Sequence, residues 1–185
     1  ETTDVSFPEA EAAVTANDAQ TLMEFADLLD RGQPLGSGRE AGLRAALRRA
    51  SQRTDELPDR VETAVETGRE LLSAAPDAYG RTWDARRLAI RRQQALFADV
   101  DVFALPTTPM VAPEYGQVPG DGGPTVLDTV HNTAPFNATG SPAVTVPCGE
   151  VAGLPVGLQL VAPPGGDGFL FRVAESVEQA LPVAA

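Results

Sequence analysis

Two short apolar runs, "AVTVP" at 143–147 and "VGLQLV" at 156–161, most tightly limit what this chain can fold into. Each is aliphatic or β-branched at nearly every position and each is closed by proline and glycine, so each reads as a short strand. A strand that is apolar on both faces suits the middle of a covered sheet better than its edge. The acidic-then-apolar run "DVFALP" at 101–106, halted by Pro106 and Pro109, adds one more. Three or four such strands, separated by helices, make only a thin sheet. The pattern predicts a chain that holds part of a larger sheet, and an initial Glu1 rather than Met agrees with a processed chain or a piece of a longer protein.

The remainder reads as helix. A strand-like "DVSF" is stopped by Pro8, and residues 9–31 then carry an apolar stripe of Val14, Leu22, Phe25, Leu28 and Leu29. "RGQPLGSG" at 31–38 breaks that helix. From 39 to 98 the helical pattern returns, with Leu43, Ala46, Leu47 and Ala50 on one face, then Val61, Val65 and Leu72. Pro76-Asp77 opens a further helix in which Trp83, Ile90 and Phe97 recur every seventh residue as a packing stripe. Residues 111–125 are rich in Gly and Pro and read as loop. In "GDGFLFRVAESVEQAL" Asp167 is the expected N-cap, with Phe169, Leu170, Val173, Ala174, Val177 and Leu181 on one face. The expected class is α/β, in one domain over 1–185: mainly helical over 1–98, then strands, loops and a C-terminal helix over 99–185.

Charge narrows the partners. The chain has no lysine; 14 arginines face 26 carboxylates, for a net charge of −12. Such a surface repels phosphate backbones and anionic lipid, so neither nucleic acid nor membrane is an expected partner. Lysine loss with abundant Ala, Val, Asp and Glu is the style of a salt-loving microbe, whose molar salt screens the self-repulsion, or else of a high-GC genome that favours Arg over Lys. Twelve of the arginines lie between Arg39 and Arg92. The cluster Arg86, Arg87, Arg91 and Arg92 reads as a solvated face paired with acids rather than an anion site. A single cysteine forms no intrachain disulfide, and neither a signal peptide nor an 18-residue apolar run is visible, so a cytoplasmic location is expected.

Chemistry-bearing residues are few. The chain's one histidine, His131, and one cysteine, Cys148, fall in "HNTAPFNATGSPAVTVPCG". A Cys–His nucleophile pair needs the base within hydrogen-bond reach of the thiol. Cys148 instead follows an apolar strand and precedes a turn glycine, so it is read as a small buried residue. His131 is read as a surface or structural residue, and a lone histidine gives no metal site. No cofactor is expected. Asn132, Thr133 and Asn137 carry groups that either orient a substrate or bond their own backbone in turns, and the sequence leaves both open. Thr107 and Thr108 favour the structural reading.

"NTAPFNATGSPAVTVPCG" followed by "GLPVGLQLVAP" resembles the C-terminal signature of the amidase signature family, serine hydrolases that cleave carbon–nitrogen amide bonds. "VETAVETGRELLSAAPDAYGRTWDARR" resembles the family's glycine, Tyr and Arg helical segment, and "DVFALPTTPMVAPEYG" its strand and Pro-Thr loop. The opening strand ending in Pro8, with Glu24 in the following helix, fits as well. The resemblance implies part of a mixed β-sheet covered by helices, with the N-terminal catalytic part missing. It implies a Ser–cis-Ser–Lys triad, but this chain contains neither a lysine nor the Gly/Ser-rich loop, "GSG" at 36–38 being a poor echo. Catalytic residues are therefore expected to be none here.

What the resemblance does place here is a substrate wall: Leu127, Val130, His131, Asn132, Thr133, Ala134 and Asn137, facing a small-molecule amide once the N-terminal portion completes the site. The branch of the family that amidates glutamyl-tRNA carries an aspartate where this chain has Val130, and an arginine before the glycine matching Gly68 that is absent here, where Thr63 and Ala64 lie nearby. The resemblance thus leans towards a general amidase with a more apolar pocket. The alternative is a stand-alone, non-catalytic binding or scaffold protein derived from the same fold.

Overall fold

The computed structural model describes residues 2–31, 58–75, 77–114 and 129–181. Leu127, the run from Leu43 to Ala50 and most of the loop at 111–125 lie outside them. The chain divides into two units, Ala12–Leu88 and a second made of Glu1–Glu11 with Ala89–Ala185.

In the first unit, α1 (Glu9–Arg31) supplies most of one helix and α2 (Asp59–Ala74) the next. The expected limits of α1 are the observed ones and Leu29 is buried as expected, but the rest of its buried stripe is Ala13, Ala16, Gln20, Met23 and Ala26 rather than Val14, Leu22, Phe25 and Leu28. The reason is close approach. A Cβ on Gly68 of α2 would collide with the Leu22 carbonyl and lie 2.8 Å from the Ala26 Cβ. Small residues on both helices let the backbones meet, and Ala26, Leu29 and Val65 close the contact. Leu72, by contrast, is exposed.

A polar cluster accompanies that contact. Tyr79 Oη donates to Glu24 Oε1 at 2.6 Å, Gln20 Nε2 donates to the same oxygen at 2.7 Å, and Arg86 Nη1 donates to Gln20 Oε1 at 2.8 Å. Burial, and then the Glu24 bond, push the Tyr79 phenol above its ordinary value. Arg86 also stacks 5.1 Å over Trp83. Of the expected arginine face, Arg87 lies beside Asp84 and, in the second unit, Arg92 beside Glu9.

The second unit is built on a three-stranded antiparallel sheet in the order β1-β3-β2, where β1 is Phe103–Pro106, β2 Ala143–Val151 and β3 Leu154–Val161. A two-residue turn, Ala152 and Gly153 with φ of 54° and 76°, joins β2 to β3. Positive φ at both positions matches the right-handed twist of the paired strands. Strand periodicity then sorts the side chains. Leu158 and Leu160 of β3, with Val144 and Val146 of β2, turn to one face. There Leu170 and Ala174 of the C-terminal helix (Asp167–Ala180) cover them. Phe103 and Val161 turn to the other face and meet Phe136. Phe97, just past the helix α3 (Ala78–Leu96), stacks on Phe103 at 4.1 Å between ring centroids. The six-residue helix α4 is Ala134–Thr139 and the C-terminal helix is α5.

Several expectations change. Residues 2–7 form no strand. Gly166, not Asp167, is the N-cap of α5, and Asp167 occupies the first turn, where its charge favours the helix dipole. Phe169 is exposed rather than part of the buried face. In α3 the buried positions are Ala89 and Gln93, while Trp83 lies at the surface. β3 is central, as its apolar pattern predicts, whereas β2, also expected as a central strand, stands at the edge of the sheet formed by the described residues, with Ala143, Thr145 and Pro147 exposed.

Two outcomes test the helical unit. Gly68→Ala forces the two helix backbones apart and lowers stability by about 1–3 kcal/mol in chemical denaturation. Arg69 donates from two guanidinium nitrogens to Asp30, and this bond holds the Asp30 carboxyl below its ordinary 3.8. Its stabilisation is therefore present above that pH and lost as the pH falls through the lowered value. Both groups are well exposed, so the Asp30→Asn variant loses less than about 1 kcal/mol at neutral pH and shows a shallower acid limb in thermal melts.

Candidate functional site

The segment from Val130 to Ser141 lies on the Phe103–Val161 face of the sheet, and its own hydrogen bonds explain why it holds there. Thr133 N–H donates to Val130 O at 3.0 Å, and the Thr133 hydroxyl donates to the same carbonyl at 3.1 Å, closing a tight turn. Pro135 sits in the first turn of α4, where its missing N–H costs nothing. The helix ends at Gly140, whose φ of 75° puts it in the left-handed region and lets its N–H reach Phe136 O at 2.8 Å. Phe136 anchors the segment by packing on Phe103 and Val161. Ser141 Oγ donates to Oε1 of the buried Gln93 at 2.8 Å, which ties the far end to α3.

Two cross-links fix the near end. Asn132 Nδ2 donates to Pro106 O of β1 at 2.9 Å, and Gln159 Nε2 of β3 donates to Asn132 O at 2.8 Å. Beside them, the Thr107 and Thr145 hydroxyls lie 3.1 Å apart. They meet over Gly157, where a Cβ would collide with the Thr145 methyl and come within 2.9 Å of Thr107 Oγ1. The result is a polar floor of Thr107, Thr145 and Gly157, bordered by the Val130–Asn137 segment.

The sequence-derived residues therefore divide. Val130, His131, Asn132, Thr133, Ala134 and Asn137 share one short stretch of chain, with His131 and Asn137 exposed and the other four half-buried. Thr133 spends its hydroxyl on its own turn, and Asn132 spends its amide N–H on β1 rather than on its own backbone. Gln159 was missed because a single amide inside "GLQLVA" carries no spacing signal, and Thr145 because its partner is 38 residues away.

Cys148 requires a correction. It is an exposed free thiol, not a buried residue, at the irregularity between Pro147 and Gly149 where β2 slips register. Its Sγ lies 3.6 Å from Val156 O. The bulge turns out a side chain that a regular strand would point by alternation.

On the opposite face of the sheet, a shallow groove of about 230 Å³ runs between β2 and α5, lined by Val144, Val146, Phe171, Ala174 and Glu175 among others. It shares only Thr145 with the floor described above. Among the described residues, no group of three or more His, Cys, Asp or Glu is placed to hold a metal. No described helix is long and apolar enough to cross a membrane.

The chain belongs to the amidase family, whose model matches residues 1–171. The A-subunit of the glutamyl-tRNA(Gln) amidotransferase of Halobacterium salinarum is 40% identical to it over 101 residues, 55% of this chain and 24% of that protein. Its counterpart in Salinispora arenicola is 40% identical over 103 residues, 56% of this chain and 21% of that protein. The matched segment thus spans about a quarter or less of these relatives.

Among solved structures, an amidase superimposes with a TM-score of 0.72 at 22% identity, over 96% of this chain and 37% of that one. A 6-aminohexanoate cyclic dimer hydrolase gives 0.70 at 21%, over 97% of this chain and 37% of that one. These likenesses establish the fold, a partial α/β amidase architecture.

The division among the wall residues has a measurable consequence. Asn132→Ala removes the Pro106 bond and lowers stability by about 1 kcal/mol, whereas Asn137→Ala stays within about 0.5 kcal/mol of the parent in urea titrations.

Proposed function

We propose that this chain forms one wall of the substrate pocket and part of the sheet of an amidase that hydrolyses small-molecule amides through an acyl-enzyme. The nucleophile and base then lie on polypeptide outside these 185 residues. The observation that carries the reading is the family match over residues 1–171 in a chain without a single lysine. By resemblance, the family's base is a lysine acting through a bridging serine. A serine oxygen attacks the amide carbonyl, the tetrahedral oxyanion collapses with loss of the protonated amine, and water then releases the carboxylic acid and frees the serine.

The contribution assigned to this chain is positional. The Val130–Asn137 segment borders the acyl or amine part of the substrate, with His131 and Asn137 offering polar groups and Val130 apolar surface. Ordering a substrate in this way converts binding into rate by removing rotational freedom before reaction. The acidic, lysine-free composition, with a relative in Halobacterium salinarum, supports a protein that works in high salt, in the cytoplasm.

A second reading has an observation of its own. Relatives at 40% identity are A-subunits of glutamyl-tRNA(Gln) amidotransferases, which would make this chain part of a transamidating enzyme. Val130 speaks against it, since an apolar side chain cannot pair with a substrate ammonium group.

Ammonia release from simple aliphatic and aromatic amides, measured on the native gene product and on the isolated 185 residues, tests the proposal. The native protein should turn over, and hydroxylamine should divert the acyl group to a hydroxamate. The isolated chain should give neither. Turnover by the isolated chain contradicts the proposal. A native protein inert to all amides favours the non-catalytic scaffold, and strict dependence on glutamine and an acylated tRNA favours the second reading.

A further inference from the structure

We infer that Gln159 is a positioning residue that sets where the His131–Asn132 turn stands over the polar floor; the inference rests on the pocket-wall reading above. Gln159 lies mid-way along the central strand, opposite Leu105 on one side and Thr145 on the other. It is 3% exposed, and its strand neighbours Leu158 and Leu160 are aliphatic. Burying a primary amide is unfavourable unless its polar atoms are bonded, and an aliphatic residue would fill the same space without that cost. The amide has a partner outside the sheet: Nε2 donates to Asn132 O, 27 residues earlier in the chain. Asn132 then donates from its own side chain to Pro106 O on β1.

One residue is thus held twice, by its main chain to the central strand and by its side chain to an edge strand. A single hydrogen bond would leave the turn free to swivel about the donor–acceptor axis, whereas two bonds to different strands fix both its height and its rotation. His131 immediately precedes the doubly held residue, so its Cα is carried with the clamp and only its side-chain torsions stay free. The floor beneath is kept open by Gly157, which admits the Thr107–Thr145 hydroxyl pair. Gln159 therefore determines the gap between wall and floor without itself facing the substrate.

Hydrogen exchange and steady-state kinetics on the native gene product test this. In Gln159→Leu, which keeps the volume and removes the donor, exchange at the Thr133 amide should rise at least tenfold while the β2–β3 ladder stays protected. KM for the best amide should rise at least fivefold with kcat within twofold. Gln159→Glu, which keeps polarity but presents an acceptor to the Asn132 carbonyl, should behave the same way, as a packing role would not predict. Should Gln159→Leu fail to fold, Gln159→Met, whose unbranched chain follows the same path without a donor, should give the same split. Unchanged exchange at Thr133 overturns the inference, and so does faster exchange with unchanged KM. If the parent protein hydrolyses no amide, the functional reading falls, and exchange alone decides the clamp.

Discussion

Strand β3 is the constraint on which the second unit depends. It pairs on both sides, and its period-two alternation sends Leu158 and Leu160 into the core under α5 while Gln159 and Val161 turn to the opposite face. A slip of one residue would put the buried amide into the α5 core and the leucines under the Val130–Ser141 segment. The register is therefore fixed by two different chemistries, hydrophobic burial on one face and a hydrogen bond plus aromatic packing on the other. The candidate wall sits on the sheet only in that register.

Much of this is legible in the sequence. The start of α1 follows from Pro8 before it, and the strands follow from β-branched runs closed by Pro and Gly. The family follows from one linear signature, because the wall and the strands after it are contiguous in the chain. What escapes depends on contacts between distant residues. Opposite Gly68 the buried face of α1 carries Ala26 rather than its larger neighbour Phe25, because α2 comes close there, and no periodicity within α1 announces that partner. Cys148 reads as interior because its neighbours are apolar, yet a bulge and an edge position expose it.

The candidate site shows the same division. Asn132, Thr133 and Asn137 are equivalent in the sequence, each a small polar residue in a turn-rich stretch. Their hydrogen bonds separate them: Thr133 closes its own turn, Asn132 ties the turn to β1, and Asn137 is left exposed. A polar residue in such a loop is equally able to bind a substrate or to hold the loop that does. Only the location of its partner distinguishes the two, and for Asn132 that partner is 26 residues away.

The central claim is that these residues supply pocket and sheet while the reacting groups lie elsewhere in the polypeptide. A serine-directed fluorophosphonate, reacted with the native gene product and located by peptide mass spectrometry, tests it most directly. The account predicts one labelled serine, on a peptide outside these 185 residues. A label on any serine within them would contradict it.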